Sequence, residues 1–136
     1  MNASMPPHLP MPSLSLSLLS DAYAVCRLPP GASVEPLPKG AFALLVSALE
    51  ETTLVCPLGH APQGAEIDAG WRCLRIDQSF DFGVPGILAS VLAPLAAAGV
   101  GIFATSTFST DYVLVKAADL DRAVEALRAA GHAVLA

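Results

Sequence analysis

The chain has 136 residues, 54% hydrophobic and 14% charged, enough apolar side chain for one ordinary packed domain or two very small ones. A net charge of −5 with only seven Lys and Arg excludes the basic face needed to bind a nucleic-acid backbone. No apolar run reaches the length of a membrane span, and a mean hydropathy of +0.58 implies apolar surface buried between halves or between copies.

Residues 1–12 hold four prolines and read as a disordered leader. The leader has no basic residue and so does not resemble a signal or transit peptide, which favours the cytoplasm. Ser13 to Leu19 alternates serine and leucine, the period of a half-buried strand. Asp21-Ala22 reads as a turn, and Tyr23 to Leu28 as a second strand stopped by Pro29-Pro30-Gly31. Four prolines between Pro29 and Gly40 leave room only for a loop or a single helical turn. Phe42 to Leu49 and Thr52 to Cys56 form a predicted hairpin around Glu50-Glu51, and Leu58 to Gly70 is predicted irregular.

Trp71 to Asp77 reads as a strand. From Val84 to Ala98 the residues Ile87, Leu88, Val91, Leu92 and Leu95 share one helical stripe. Pro94 removes one backbone bond within it and predicts a kink near Ser90. Gly99 suits the position just past the helix end. Val100 to Phe108 is rich in β-branched and aromatic residues and predicts a strand; Ser109-Thr110-Asp111 turns it, and Tyr112 to Val115 returns antiparallel. A second helix places Leu120, Ala123, Val124 and Leu127 on one stripe, with Asp119 and Asp121 at its start and Arg128 and Gly131 at its end. His132 to Leu135 is a last short strand. The succession β-α-β-β-α-β is the ferredoxin-like unit. The predicted class is α+β, two such units packed together: a degenerate one at 13–70 and a regular one at 71–136.

Few residues suggest chemistry on their own. Cys26, Cys56 and Cys73 form an odd set without a CxxC pair and read as buried thiols. His8, His60 and His132 are too scattered for a metal site, and His132 falls at a helix end, where positive charge is welcome. There is no GxGxxG, no phosphate loop and no GxSxG, so neither a nucleotide site nor a serine nucleophile is indicated. No catalytic residue, metal or cofactor is expected. Asp119, Asp121, Arg122, Glu125 and Arg128 read as a solvated helix face, with Arg122 and Glu125 as an i,i+3 pair. Asp81 reads as a turn or N-cap-like residue ahead of the first helix. Gly83-Val84-Pro85-Gly86 reads as a strand-to-helix turn, and equally its glycines would let a ligand approach the backbone, with the helix start beyond them favouring a carboxylate.

The run Phe80-Asp81-Phe82-Gly83-Val84-Pro85-Gly86-Ile87-Leu88-Ala89, then Ala98 to Phe108, then Thr110 to Val115, resembles an ACT domain. Tyr23 to Pro29 and Trp71 to Arg75 also look like this family. The chain is more closely similar to small bacterial tandem-ACT proteins related to the regulatory region of aspartate kinase, a group that includes the arginine sensor CASTOR. The resemblance implies binding of an amino acid or other small metabolite between two ACT units, without catalysis. It places a ligand-binding loop at Asp81, Phe82, Gly83, Val84 and Pro85, facing a strand end with Thr105, Ser106, Thr107 and Asp111. Asp81 or Asp111 could take an ammonium, and Ser106 and Thr107 can donate or accept.

Two readings follow. The first is a regulatory amino-acid sensor that acts as a homodimer and contacts a protein partner, with no nucleic acid or membrane involved. The alternative is a ligand-free interaction module that mediates homodimerisation.

Overall fold

The computed structural model describes residues 13–78 and 85–136. Its strands are β1 (Ser15–Leu28), β2 (Leu44–Ser47), β3 (Thr52–Pro57), β4 (Glu66–Ile76), β5 (Ile102–Ser106), β6 (Asp111–Lys116) and β7 (Ala133–Leu135). Helix α1 (Ile87–Ala97) joins β4 to β5, and α2 (Leu120–Ala129) joins β6 to β7. One antiparallel sheet runs β2-β3-β1-β4-β6-β5, and β7 adds in parallel to the first residues of β1. The second half thus has the predicted β-α-β-β-α-β order. Residues 13–78 carry no α-helix, only a 3₁₀ turn at Leu58–His60.

The strand β1 differs most from expectation. The sequence predicts a turn at Asp21-Ala22 between two strands; the structure has a single strand of 14 residues there. Leu18 pairs with Leu74 and Ala22 with Arg72, so four steps of β1 stand against two of β4. The extra residues make a bulge, which bends a strand without reversing it. The Arg72 guanidinium donates to the Leu19 carbonyl at 3.1 Å, satisfying an acceptor inside the bulge. Because β1 is long, β4 finds a partner from Glu66 onwards (Arg27 opposite Glu66, Cys26 opposite Ile67) and starts five residues before the predicted Trp71.

The alternation along β1 survives the bulge. Leu14, Leu16 and Leu18 face the helices, packing with Leu74, Ile76, Val113, Val115 and, from α1 and α2, Val91, Leu95, Ala123 and Leu127. Leu19, Tyr23 and Val25 face the other way, onto a second core with Phe42, Val55, Cys73 and Leu114. Phe42 stacks on Tyr112 with ring centroids 4.3 Å apart and tilts against Tyr23 at 6.2 Å. A sheet apolar on both faces must cover both; helices cover one, and the curl of the sheet around Phe42 covers the other. A third cluster, Ala24, Cys26, Leu54 and Cys56, lies under Val34, Ala61 and Ala65. The three thiols are buried and unpaired, as expected.

Pro94 sits inside α1. Lacking an N–H, Pro94 cannot bond the Ser90 carbonyl one turn back. His132 Nε2 takes that carbonyl instead, at 2.8 Å, while its Nδ1 accepts the Leu14 N–H at 3.0 Å. The sequence places His132 at the end of α2; burial at 5% exposure and two backbone partners make it a core residue.

Candidate functional site

The expected site splits between what the structure describes and what it does not. Asp81, Phe82, Gly83 and Val84 lie outside the described residues. Pro85, Thr105, Ser106, Thr107 and Asp111 lie within them.

The strand residues among them gather at one end of the sheet. Arg75 pairs with Tyr112 and Ser106 with Asp111, so the C-terminal end of β4 and the β5–β6 turn share that end. Gly86 is the N-cap of α1, with φ +81°, a conformation that L side chains rarely adopt. Its carbonyl accepts the Ser90 N–H at 3.0 Å, the first helical bond. No side chain among the described residues caps the first turn of α1, and the N-cap position falls to Gly86 rather than to an acidic residue. An uncapped helix start leaves N–H groups free for an anionic ligand oxygen.

Strand alternation decides which side chains face that helix. Asp111 shares its face with Val113 and Val115, which are covered by α1 and α2, and Ser106 pairs with it on the same face. Thr105 pairs with Tyr112 and points to the opposite face. Thr107 is committed to the turn: its N–H donates to the Thr110 carbonyl at 2.7 Å, its hydroxyl to the same oxygen at 3.0 Å, and it accepts the Thr110 N–H at 3.3 Å. Of the four strand-end residues expected from the sequence, Ser106 and Asp111 have the face and the freedom to meet a ligand. Asp111 is half-buried and Ser106 exposed.

Sequence reasoning missed Thr110 and Gln78. The Thr110 hydroxyl lies 2.7 Å from the Ile76 carbonyl and 3.1 Å from that of Gln78, tying the β5–β6 turn to the end of β4. Gln78 in turn accepts the Ser15 N–H at 3.2 Å through its side-chain oxygen. Asp77 is held by Ser17 at 2.6 Å and by Arg75 at 3.2 Å. Thr110 was legible as a turn residue, but its partners lie more than thirty positions away, beyond the reach of any local pattern.

The cysteines offer no nucleophile. Burial pushes the Cys73 thiol up to about 12 and the Cys56 thiol up to about 11, and raises Cys26 as well, so all three stay protonated at neutral pH. Among the described residues no three His, Cys, Asp or Glu side chains cluster to hold a metal, and no helix is long and apolar enough to cross a membrane.

Residues 66–129 match the family model described as "ACT domain". The chain is 34% identical to the protein Atu0741 of Agobacterium tumefaciens, covering 91% of this chain and 93% of that one with a TM-score of 0.85. A Vibrio cholerae protein, VC0802, described as of unknown function and a possible transport protein, is 23% identical with a TM-score of 0.68, over 88% of this chain and 91% of its own. The ligand-free regulatory subunit of aspartate kinase from Thermus thermophilus shares the fold at 12% identity and a TM-score of 0.61, over 85% of this chain and 96% of that one. ACT domains are regulatory domains that typically bind amino acids. Residues 66–129, whose strands belong to a ferredoxin-like sheet carrying two helices, match the ACT domain, and the chain as a whole is similar to Atu0741.

Proposed function

We propose that this protein is a non-catalytic regulatory sensor that binds a free amino acid at the α1 end of the sheet. The observations that support the reading are an α1 start at Gly86 that no described side chain caps, and a β5–β6 strand end whose Ser106 and Asp111 lie on the helix-facing side of the sheet. The α-carboxylate goes to the N–H groups of the first turn of α1, where the helix dipole favours an anion. The ammonium goes to the Asp111 carboxylate, with Ser106 as a further hydrogen-bond partner. Asp81, Phe82, Gly83, Val84 and Pro85 complete the pocket from the loop, and Thr105 and Thr107 shape its rim.

Within this reading the chain is a tandem-ACT protein of the kind that includes CASTOR, with an eroded unit at 13–70 and a complete one at 71–136. The strands of the first part pack on a cluster of their own, Ala24, Cys26, Leu54 and Cys56, which supports that division. The ligand lies at an interface between ACT units, and the protein works in the cytoplasm as a homodimer that signals to a protein partner. A second reading, a ligand-free interaction module, is favoured by the exposed apolar side chains of the edge strand β2 and its hairpin, Leu45, Val46 and Leu49.

The test is a thermal-shift screen of the purified protein against the twenty amino acids. A ligand that binds only the folded state raises its stability by about 2.7 kcal/mol at a hundredfold excess over its dissociation constant. A concentration-dependent rise that is lost in Asp111→Ala, with the melting point of the free protein unchanged, is the expected result. No rise with any of the twenty at millimolar concentration transfers the case to the interaction module.

A further inference from the structure

We infer that the outer flank of α2 is a self-complementary docking surface for a second copy of this chain. This gives a contact surface to the homodimer of the reading above and is tested without ligand, so it can fail while ligand binding holds, and the reverse. An open groove of about 580 Å³ runs along α2. From the helix it is lined by Leu120, Asp121, Val124, Glu125, Arg128 and Ala129. Leu18 of β1 and Ala136, beyond the end of β7, line its other side.

The acids that line this groove have no ion-pair partner among the described residues. Arg122 pairs with Asp119 at 2.8 Å, not with Glu125 as the sequence suggested. Asp121 and Glu125 make no ion pair among the described residues. Arg128 donates through Nη2 to the Val134 carbonyl at 2.7 Å, which holds its guanidinium at the β7 edge with other N–H groups to spare. The outer side of β7 carries no strand among the described residues.

The arrangement matches a twofold axis. If two copies of α2 lie antiparallel about an axis passing between Val124 and Glu125, Asp121 of each copy stands level with Arg128 of the other. Val124, which lies toward the buried Ala123 and Leu127 side of the helix, meets its own mate over Leu18. Glu125 falls on the solvent side, where like charges are screened. A basic partner would set Arg128 against a cation, and an acidic one would meet Asp121 and Glu125. A second copy satisfies acid and base together.

The experiment is sedimentation equilibrium on the full chain, free of amino acids, at low and high salt. The wild type is expected to dimerise, more tightly at low salt. Asp121→Arg and Arg128→Asp are each expected to weaken the dimer about tenfold or more. Mixing the two variants should restore it, because each copy then supplies the charge the other has lost in both contacts. That rescue also shows that neither variant has simply unfolded. A wild type that stays monomeric at about 100 μM, variants that dimerise as well as the wild type, or a mixture that fails to recover would each overturn the proposal. So would a monomer that dimerises only after deletion of residues 1–12, which would assign the groove to that leader.

Discussion

His132 replaces a missing backbone donor at one end of its ring and satisfies the entry to β1 at the other. His132→Ala would leave the Ser90 carbonyl and the Leu14 N–H buried without partners, each worth about 1–3 kcal/mol. The expected loss is about 2–4 kcal/mol of unfolding free energy by urea denaturation, with His132→Gln recovering part of it. An alanine variant as stable as the wild type would show that water reaches both groups. Gly86 presents a different case at the same scale. A Cβ there meets nothing within 4 Å, so the cost of Gly86→Ala is purely the φ of +81°. About 1 kcal/mol is expected, with the helix intact by circular dichroism.

For elements, the coupling of Pro94 and His132 is the clearest test of how α1 is held. Pro94→Ala restores an N–H that can bond the Ser90 carbonyl within the helix. In that background His132→Ala should cost about 1–2 kcal/mol less than in the wild type, since only the Leu14 N–H is then orphaned. A double-mutant cycle by chemical denaturation measures the difference, and strict additivity would mean the two residues act independently. The hairpin β5–β6 is pinned in the same manner by Thr110 to the end of β4. Its loss should therefore loosen the start of the candidate loop more than the hairpin itself, read as faster amide exchange at Asp77 and Gln78.

The whole molecule rests on a sheet with two covered faces, and its second and third clusters hold buried titratable groups. Tyr23, chiefly through burial, is pushed up to about 12, as is Cys73, and Cys56 to about 11. Each is an acid that ionises later in the folded chain than in the unfolded one, from starting values of 10 for tyrosine and 9 for the thiols. The unfolded state then binds fewer protons, so stability is complete below about pH 9 and falls as pH rises towards 12. Melting temperature measured across that range should decline, and Cys73→Ala should flatten the decline. A profile unchanged in the variant would point to water reaching the thiol. Phe42 closes the same core from the loop before β2, and Phe42→Ala is expected to cost about 3–5 kcal/mol.

Much of the second half was legible in the sequence, because its elements are local. The stripes of α1 and α2, the β5–β6 turn and the order β-α-β-β-α-β follow from periodicities of two and 3.6 that neighbouring residues set by themselves. The hairpin of β2 and β3 was legible for the same reason. The alternation along β1 also read correctly, but its continuity did not: Asp21 and Ala22 have the composition of a turn, and only pairing with β4 turns them into a bulge. The sequence identified the strand end with Ser106 and Asp111, whereas strand pairing decided which of its residues face α1 and which are spent on the turn. His132 was read only as a helix-end residue, because its chain neighbours say no more. Its partners, Leu14 and Ser90, come from β1 and α1, and a hydrogen bond across that distance exists only once the sheet and helices have assembled.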